Sequence, residues 1–153
     1  MNDEVVKKLA MKSNADAWNY LQKDSLGEDE KVQMLCCAYS SLYLWAACGG
    51  TSLHFARAHW LISRVCCVLA EVRLAAKHAE MCSTYTELAL DRKDFDDVYA
   101  TEAKARSFAL AGDKIQATHF KKRATELAQK INDLEDRGIA EGDIQTEPWF
   151  GVN

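Results

Sequence analysis

The stretch Leu69-Ala70-Glu71-Val72-Arg73-Leu74-Ala75-Ala76-Lys77-His78 returns 41 residues later as Leu110-Ala111-Gly112-Asp113-Lys114-Ile115-Gln116-Ala117-Thr118-His119. Leu-Ala heads each copy, and alanine and histidine recur at 76 and 78, then at 117 and 119. Self-similarity at a period of this size is the signature of stacked helical hairpins. Each hairpin is too small to bury its own apolar face, so a neighbour must cover it. The expected fold is all-α, with antiparallel hairpins laid side by side.

Composition outside the repeat agrees. The 22 alanines and 15 leucines, against 13 valines and isoleucines together, favour helix because Ala and Leu lose little side-chain freedom there. Pro148 is the single proline, so nothing from Met1 to Glu147 forbids a helical hydrogen bond. At 153 residues the chain is long enough for one domain with a core of its own. The net charge of -4 gives no general attraction to nucleic acid or to an anionic membrane. No charged leader followed by an apolar run is read at the start, and no apolar stretch reaches membrane-spanning length. Cytoplasm is the expected location.

Helix signals divide the chain into about six helices in three hairpins, near residues 3–47, 52–90 and 95–131. The first helix is expected from Asp3 to Asp24, with an interruption near Ser13-Asn14. Ser25-Leu26-Gly27-Glu28 has capping-box spacing for the second, which Gly49-Gly50 stops. The turn between helices three and four is expected near Val72 to Leu74, and Gly112-Asp113 turns five into six. Residues 132–153 hold three glycines, the proline and many acids, and are expected to be irregular or only briefly helical. Lys114 to Lys130 carries five basic residues and one acidic, whereas Asp133 to Glu147 carries six acidic and one basic. The acidic tail is therefore expected to pack back on the domain.

Ala105, Phe108, Gly112, Asp113, Ala117 and Ala124 have the spacing at which a tetratricopeptide repeat uses small, aromatic, turn and small residues, and a shift of 41 places Trp60 and Ala76 likewise. The chain resembles that repeat, which implies a short right-handed solenoid. Nearly end to end it is also similar to an uncharacterised family of small bacterial tetratricopeptide-like proteins. That resemblance rests on Asn14 to Trp18, Ala38 to Tyr43 with Trp45, Gly50-Thr51, Arg57, Trp60 to Val65, Asp94-Phe95-Asp96, Glu102 to Arg106, Glu135-Asp136-Arg137 and Pro148-Trp149. It departs at Leu44, where the family has histidine, at Cys66, where an aromatic is usual, and at Ala70, usually glycine. Any pocket the family builds from that histidine and that ring does not carry over.

Candidate binding residues form two stripes at helical spacing. Tyr99, Glu102 and Arg106 share one face of helix five, and Arg57, Trp60 and Arg64 share one face of helix three. The tetratricopeptide resemblance implies that the first stripe faces the concave groove, where such scaffolds hold extended peptides. Each stripe also has a structural reading: Glu102 and Arg106 as an intrahelical ion pair, and Trp60 as packing between repeats. In that second case the arginines pair with acids on neighbouring elements, such as Glu102, Glu135 or Asp136.

No metal or cofactor is expected. His78 and Cys82 are four apart, but two ligands do not close a zinc site, and neither Cys-x-x-Cys nor His-Glu-x-x-His occurs. Most of the six cysteines are expected to be buried free thiols. No catalytic residues are assigned, because neither a nucleophile elbow nor a glycine-rich phosphate loop is present. Pro148-Trp149-Phe150 is expected to cap the last hairpin, with occupation of the groove as the alternative. The expected function is an adaptor or regulatory module that binds a peptide, a protein or a second copy of itself. The alternative is a small-molecule binder or enzyme with a polar pocket between helices.

Overall fold

A computed structural model describes residues 2–153. Seven helices run through the described residues, and no strand occurs among them. They are α1 (Asp3–Leu21), α2 (Glu28–Ala47), α3 (Ser52–Val68), α4 (Val72–Leu88), α5 (Asp94–Leu110), α6 (Lys114–Ala128) and α7 (Leu134–Gln145). The most extensive packing is within the sequential antiparallel pairs α1 with α2, α3 with α4, and α5 with α6. Each later odd-numbered helix rests on the two before it: α3 on α1 and α2, α5 on α3 and α4, α7 on α5 and α6. No helix among the described residues is long and apolar enough to cross a membrane.

Small residues permit this close stacking. Ala10 and Ala17 of α1, Ala38 of α2, Ala75 of α4, Ala105 of α5 and Ala117, Ala124 and Ala128 of α6 have no exposed surface. Leu61, Ile62, Val65 and Met34 fill the space between the first two pairs, and Phe108, Phe120 and Ile131 pack in a second cluster under α7. Hydroxyls tie the pairs where alanines bring backbones together: Ser41 Oγ donates to Ala10 O at 3.0 Å and Ser63 Oγ to Ala75 O at 2.9 Å.

The structural repeat is 42 residues, one more than the sequence match of 41. Ser52 and Asp94 open α3 and α5, and Val72 and Lys114 open α4 and α6. The left-handed residues Ala70 (φ 57°) and Gly112 (φ 83°) end the first helix of each pair. The same closing hydrogen bond follows each, Glu71 N to Cys66 O at 2.9 Å and Asp113 N to Phe108 O at 3.0 Å. The equivalent of His78 is thus Phe120. His78 is buried and His119 exposed, so the matched histidines occupy unrelated environments.

Several other expectations are corrected. α1 runs unbroken through Ser13 and Asn14, because burial of Ala10 and Ala17 outweighs two weak helix formers. The second helix starts at Gly27, whose N–H donates to Glu30 Oε2 at 2.9 Å; Ser25 plays no part in that cap. The α3–α4 turn falls at Leu69 to Glu71 rather than beyond Val72, because Ala70 takes up the left-handed conformation that glycine usually supplies. The tail contains a true helix, α7, so the total is seven rather than six. Asp133 starts it by accepting from Asp136 N at 2.9 Å, Glu135 and Asp136 suit its positive end, and Ala140 and Ile144 are buried beneath it. Gly138 and Gly142, taken as breakers, sit where no neighbouring side chain crowds them. All six cysteines are free, but only Cys66, Cys67 and Cys82 are buried; Cys36 is exposed. Burial pushes the Cys66 thiol up to about 11 and those of Cys67 and Cys82 up to about 12.

Candidate functional site

The two sequence stripes meet across α3 and α5. Trp60 Nε1–H donates to Glu102 Oε2 at 2.8 Å, and Arg106 Nε donates to Glu102 Oε1 from the next turn of α5. Glu102 and Arg106 are each 1% exposed, so both carboxylate oxygens are satisfied away from water. The Trp60 ring stacks on Trp18 of α1 at 5.3 Å and meets Tyr99 edge-on at 5.1 Å. One indole thus joins α1, α3 and α5.

Arg57 pairs with an acid the sequence reading did not single out. Its Nε and Nη2 donate to Asp96 Oδ1 at 2.9 Å and Oδ2 at 3.1 Å. Asp96 also accepts from the Lys93 backbone N–H at 2.8 Å, fixing the first turn of α5. The expected partners Glu102, Glu135 and Asp136 are not used by Arg57, and Arg64 donates instead to the Glu147 carbonyl at 3.0 Å.

The tail forms the remaining wall. Tyr99 donates its hydroxyl to Asp143 Oδ2 at 2.5 Å. Arg106 donates to the carbonyls of Asp143 at 2.8 Å and Pro148 at 2.9 Å. Trp149 is 1% exposed, donates to Ile144 O at 2.7 Å, and lies between the Arg106 guanidinium at 4.1 Å and the Lys121 ammonium at 4.2 Å. The segment therefore does two things: Trp149 covers the α5–α6 cluster, and the carbonyls of residues 143, 147 and 148 bind the arginines of α3 and α5.

Between these walls lies a cleft of about 490 Å³ with an aromatic lining of Trp18, Trp60, Phe95 and Tyr99, and with Asn14, Arg57, Asp96 and Asp143 as its polar groups. It continues at both ends. One extension, about 360 Å³, shares Asn14 and Arg57 and reaches Met11, Trp45 and His54. The other, about 370 Å³, shares Trp18, Trp60 and Asp143 and reaches Gln22, Lys23, Arg64 and Glu147. Along α1 the lining runs from Met11 to Gln22, about 16 Å at the helical rise per residue. The three clefts adjoin one another in order along α1.

Of the predicted site residues, Arg57, Trp60 and Tyr99 line the central cleft, and Arg64 and Glu102 line its extension. Arg106 lies behind, buried against the tail. Asn14, Trp18, Phe95, Asp96 and Asp143 were not picked out as site residues. Asn14 and Trp18 are four apart on α1, a spacing that places them on one face, and Asp96 precedes Tyr99 by one turn. Nothing in the sequence marks Asp143. Asn14 forms no side-chain hydrogen bond with the other described residues, so its amide is left to face the groove.

Two histidines sit away from the groove, between the first two pairs. His59 Nδ1 and His78 Nδ1 are hydrogen-bonded at 2.8 Å, and His78 Nε2 meets the Tyr39 hydroxyl at 2.8 Å. Burial lowers both to about 4, with Lys77 adding to the effect on each and His59 on His78, so both rings are neutral at neutral pH. No group of three or more potential metal ligands forms among the described residues.

Comparisons with protein-family models, with curated proteins and with solved structures find no match to this chain.

Proposed function

We propose that this chain is a non-enzymatic interaction module that holds an extended peptide segment in the groove bounded by α1, α3, α5 and the tail. The observation that carries the reading is the shape of the groove: three clefts share lining residues and run lengthwise along one face of α1. A strand of about five residues matches a 16 Å trough at 3.3 Å per residue, a length that a compact ligand seated in the central cleft alone would leave unused. Stacked indoles offer rigid apolar contact, and the free Asn14 amide can both donate to and accept from a peptide backbone. We read the succession of pairs as a short tetratricopeptide-like right-handed solenoid, of the kind the sequence resembles, with α7 as its terminal helix. On that reading the groove is the concave face.

Selection of peptides from a random display library on the intact protein tests the proposal. The expected result is a family of binders whose affinity falls at least about tenfold on Trp18→Ala or Asn14→Ala, the loss of one well-packed anchor. Failure to select any binder that depends on those residues, together with a small molecule retained in native mass spectra, would move the assignment to a small-ligand protein.

A further inference from the structure

We infer that the groove is selective for a basic segment, the central cleft receiving the cationic side chain of a lysine or arginine against Trp18, Trp60 and Tyr99 with Asp143 as its counter-charge. This rests on the peptide-binding reading and names the partner class.

Ring geometry is the first support. Trp18 and Trp60 are stacked at 26°, Tyr99 stands at 67° to Trp60, and Phe95 stands at 72° to Tyr99. All four rings line the central cleft. Aromatic faces attract cations through the ring quadrupole and offer nothing comparable to anions.

Charge is the second, independent support. In the central cleft Arg57 is held by both oxygens of Asp96, which leaves that pair neutral as a unit. Asp143 has no such partner: no Lys, Arg or His among the described residues forms an ion pair with its carboxylate. Its Oδ2 accepts from Tyr99, and its Oδ1 has no hydrogen-bond partner among the described residues. Burial, then the hydrogen bond to Asp143, holds the Tyr99 phenol above its ordinary value, so the phenol keeps its proton and serves as donor. In the adjoining cleft Glu102 is matched by Arg106, and Lys23 by Glu30. The remaining charged side chains of that cleft are Arg64, whose Nη1 is buried without a partner among the described residues, and the carboxylates of Asp24, Asp143 and Glu147. The groove as a whole is left acidic, in a chain whose net charge is -4.

The test uses the intact protein, uniformly labelled with nitrogen-15, and three capped tripeptides: Ac-Ala-Lys-Ala-NH2, Ac-Ala-Gln-Ala-NH2 and Ac-Ala-Glu-Ala-NH2. The indole N–H signals of Trp18 and Trp60 report on the cleft directly. The lysine peptide is expected to shift both signals and to bind at least about tenfold more tightly than the glutamine peptide, one cation interaction's worth. Asp143→Asn keeps an acceptor for Tyr99 but removes the charge, and is expected to abolish most of that preference. Equal or tighter binding of the glutamine or glutamate peptide at the same indoles would overturn the cation assignment and leave the groove reading standing. An unchanged lysine preference in Asp143→Asn would also overturn it. Absence of any shift at Trp18 and Trp60 with all three peptides would count against both readings.

Discussion

Trp60 and Glu102, 42 residues apart and both buried, are joined by an indole N–H donated to a carboxylate oxygen at 2.8 Å. The bond links α3 to α5 beside the Arg57–Asp96 pair, and it is the one of the two that lies buried under the groove floor. Because Glu102 also neutralises Arg106, removing it strands a buried guanidinium. Glu102→Ala is expected to cost about 3 to 5 kcal/mol in urea unfolding, the usual cost of breaking a buried ion pair from one side. A loss below about 1 kcal/mol would mean that the pair is hydrated in solution. Such variants are accordingly poor probes of binding, since they damage the scaffold that shapes the groove.

Ala70 occupies a left-handed turn that Gly112 occupies in the following pair. A side chain at positive φ costs about 1 kcal/mol or more, whereas glycine adopts it freely at the expense of unfolded-state entropy. Ala70→Gly is expected to stabilise the protein by roughly 0.5 to 1 kcal/mol, and Gly112→Ala to destabilise it by a similar amount. Thermal melts of both variants check the pair. A lower melting temperature for Ala70→Gly would show that the turn relaxes elsewhere.

The histidine pair sets a pH dependence whose sign follows from its lowered values. Both imidazoles are neutral in the fold down to about 4, while in the unfolded chain they protonate through 6.5. Their contribution is complete above 6.5 and is lost as pH falls toward 4, because the unfolded chain binds the extra protons. Between pH 7 and pH 5 the loss is on the order of 2 kcal/mol for the hydrogen-bonded pair, which titrates as a unit. His78→Gln should flatten the urea-derived stability profile in that window. A profile as steep as that of the parent would contradict the assignment of the slope to this pair.

Trp149 is the anchor of the tail, with 1% of its surface exposed and two cations, Arg106 and Lys121, against its ring. Trp149→Ala is expected to cost about 3 to 5 kcal/mol, which for a chain of this size lowers the melting temperature by roughly 10 °C. Deleting residues 144–153 should cost at least as much, since it also removes the carbonyls that accept from Arg64 and Arg106. An unchanged melting temperature in either variant would show that the tail does not cover the last pair.

How much of this was legible in the sequence differs from element to element. The α2–α3 and α5–α6 boundaries were readable because Gly49-Gly50 and Gly112 coincide with them, whereas the α3–α4 turn, which has no glycine, was placed too late. The repeat length was read one residue short, because Leu-Ala and histidine match by identity while the turn geometry aligns Ala70 with Gly112. α7 was hidden by its glycines, whose cost is offset by burial of Ala140 and Ile144 that no local rule can see. Helical spacing put Tyr99 and Glu102 on one face of α5 and Arg57 and Trp60 on one face of α3, but the meeting of the two faces is visible only in the fold. The partners that decide their roles are different in kind: Asp143 and Asp96 reach Tyr99 and Arg57 from 44 and 39 residues away. Long-range pairing of this kind leaves no periodic trace.

Titration of a display-selected peptide into the intact protein, followed by amide and indole chemical-shift changes, shows where a bound segment lies. The account predicts that the perturbed signals trace the trough, from Met11 through Asn14, Trp18, Arg57, Trp60 and Tyr99 to Arg64. Perturbations confined to the outward faces of α2, α4 and α6, with those groove signals unmoved, would contradict it.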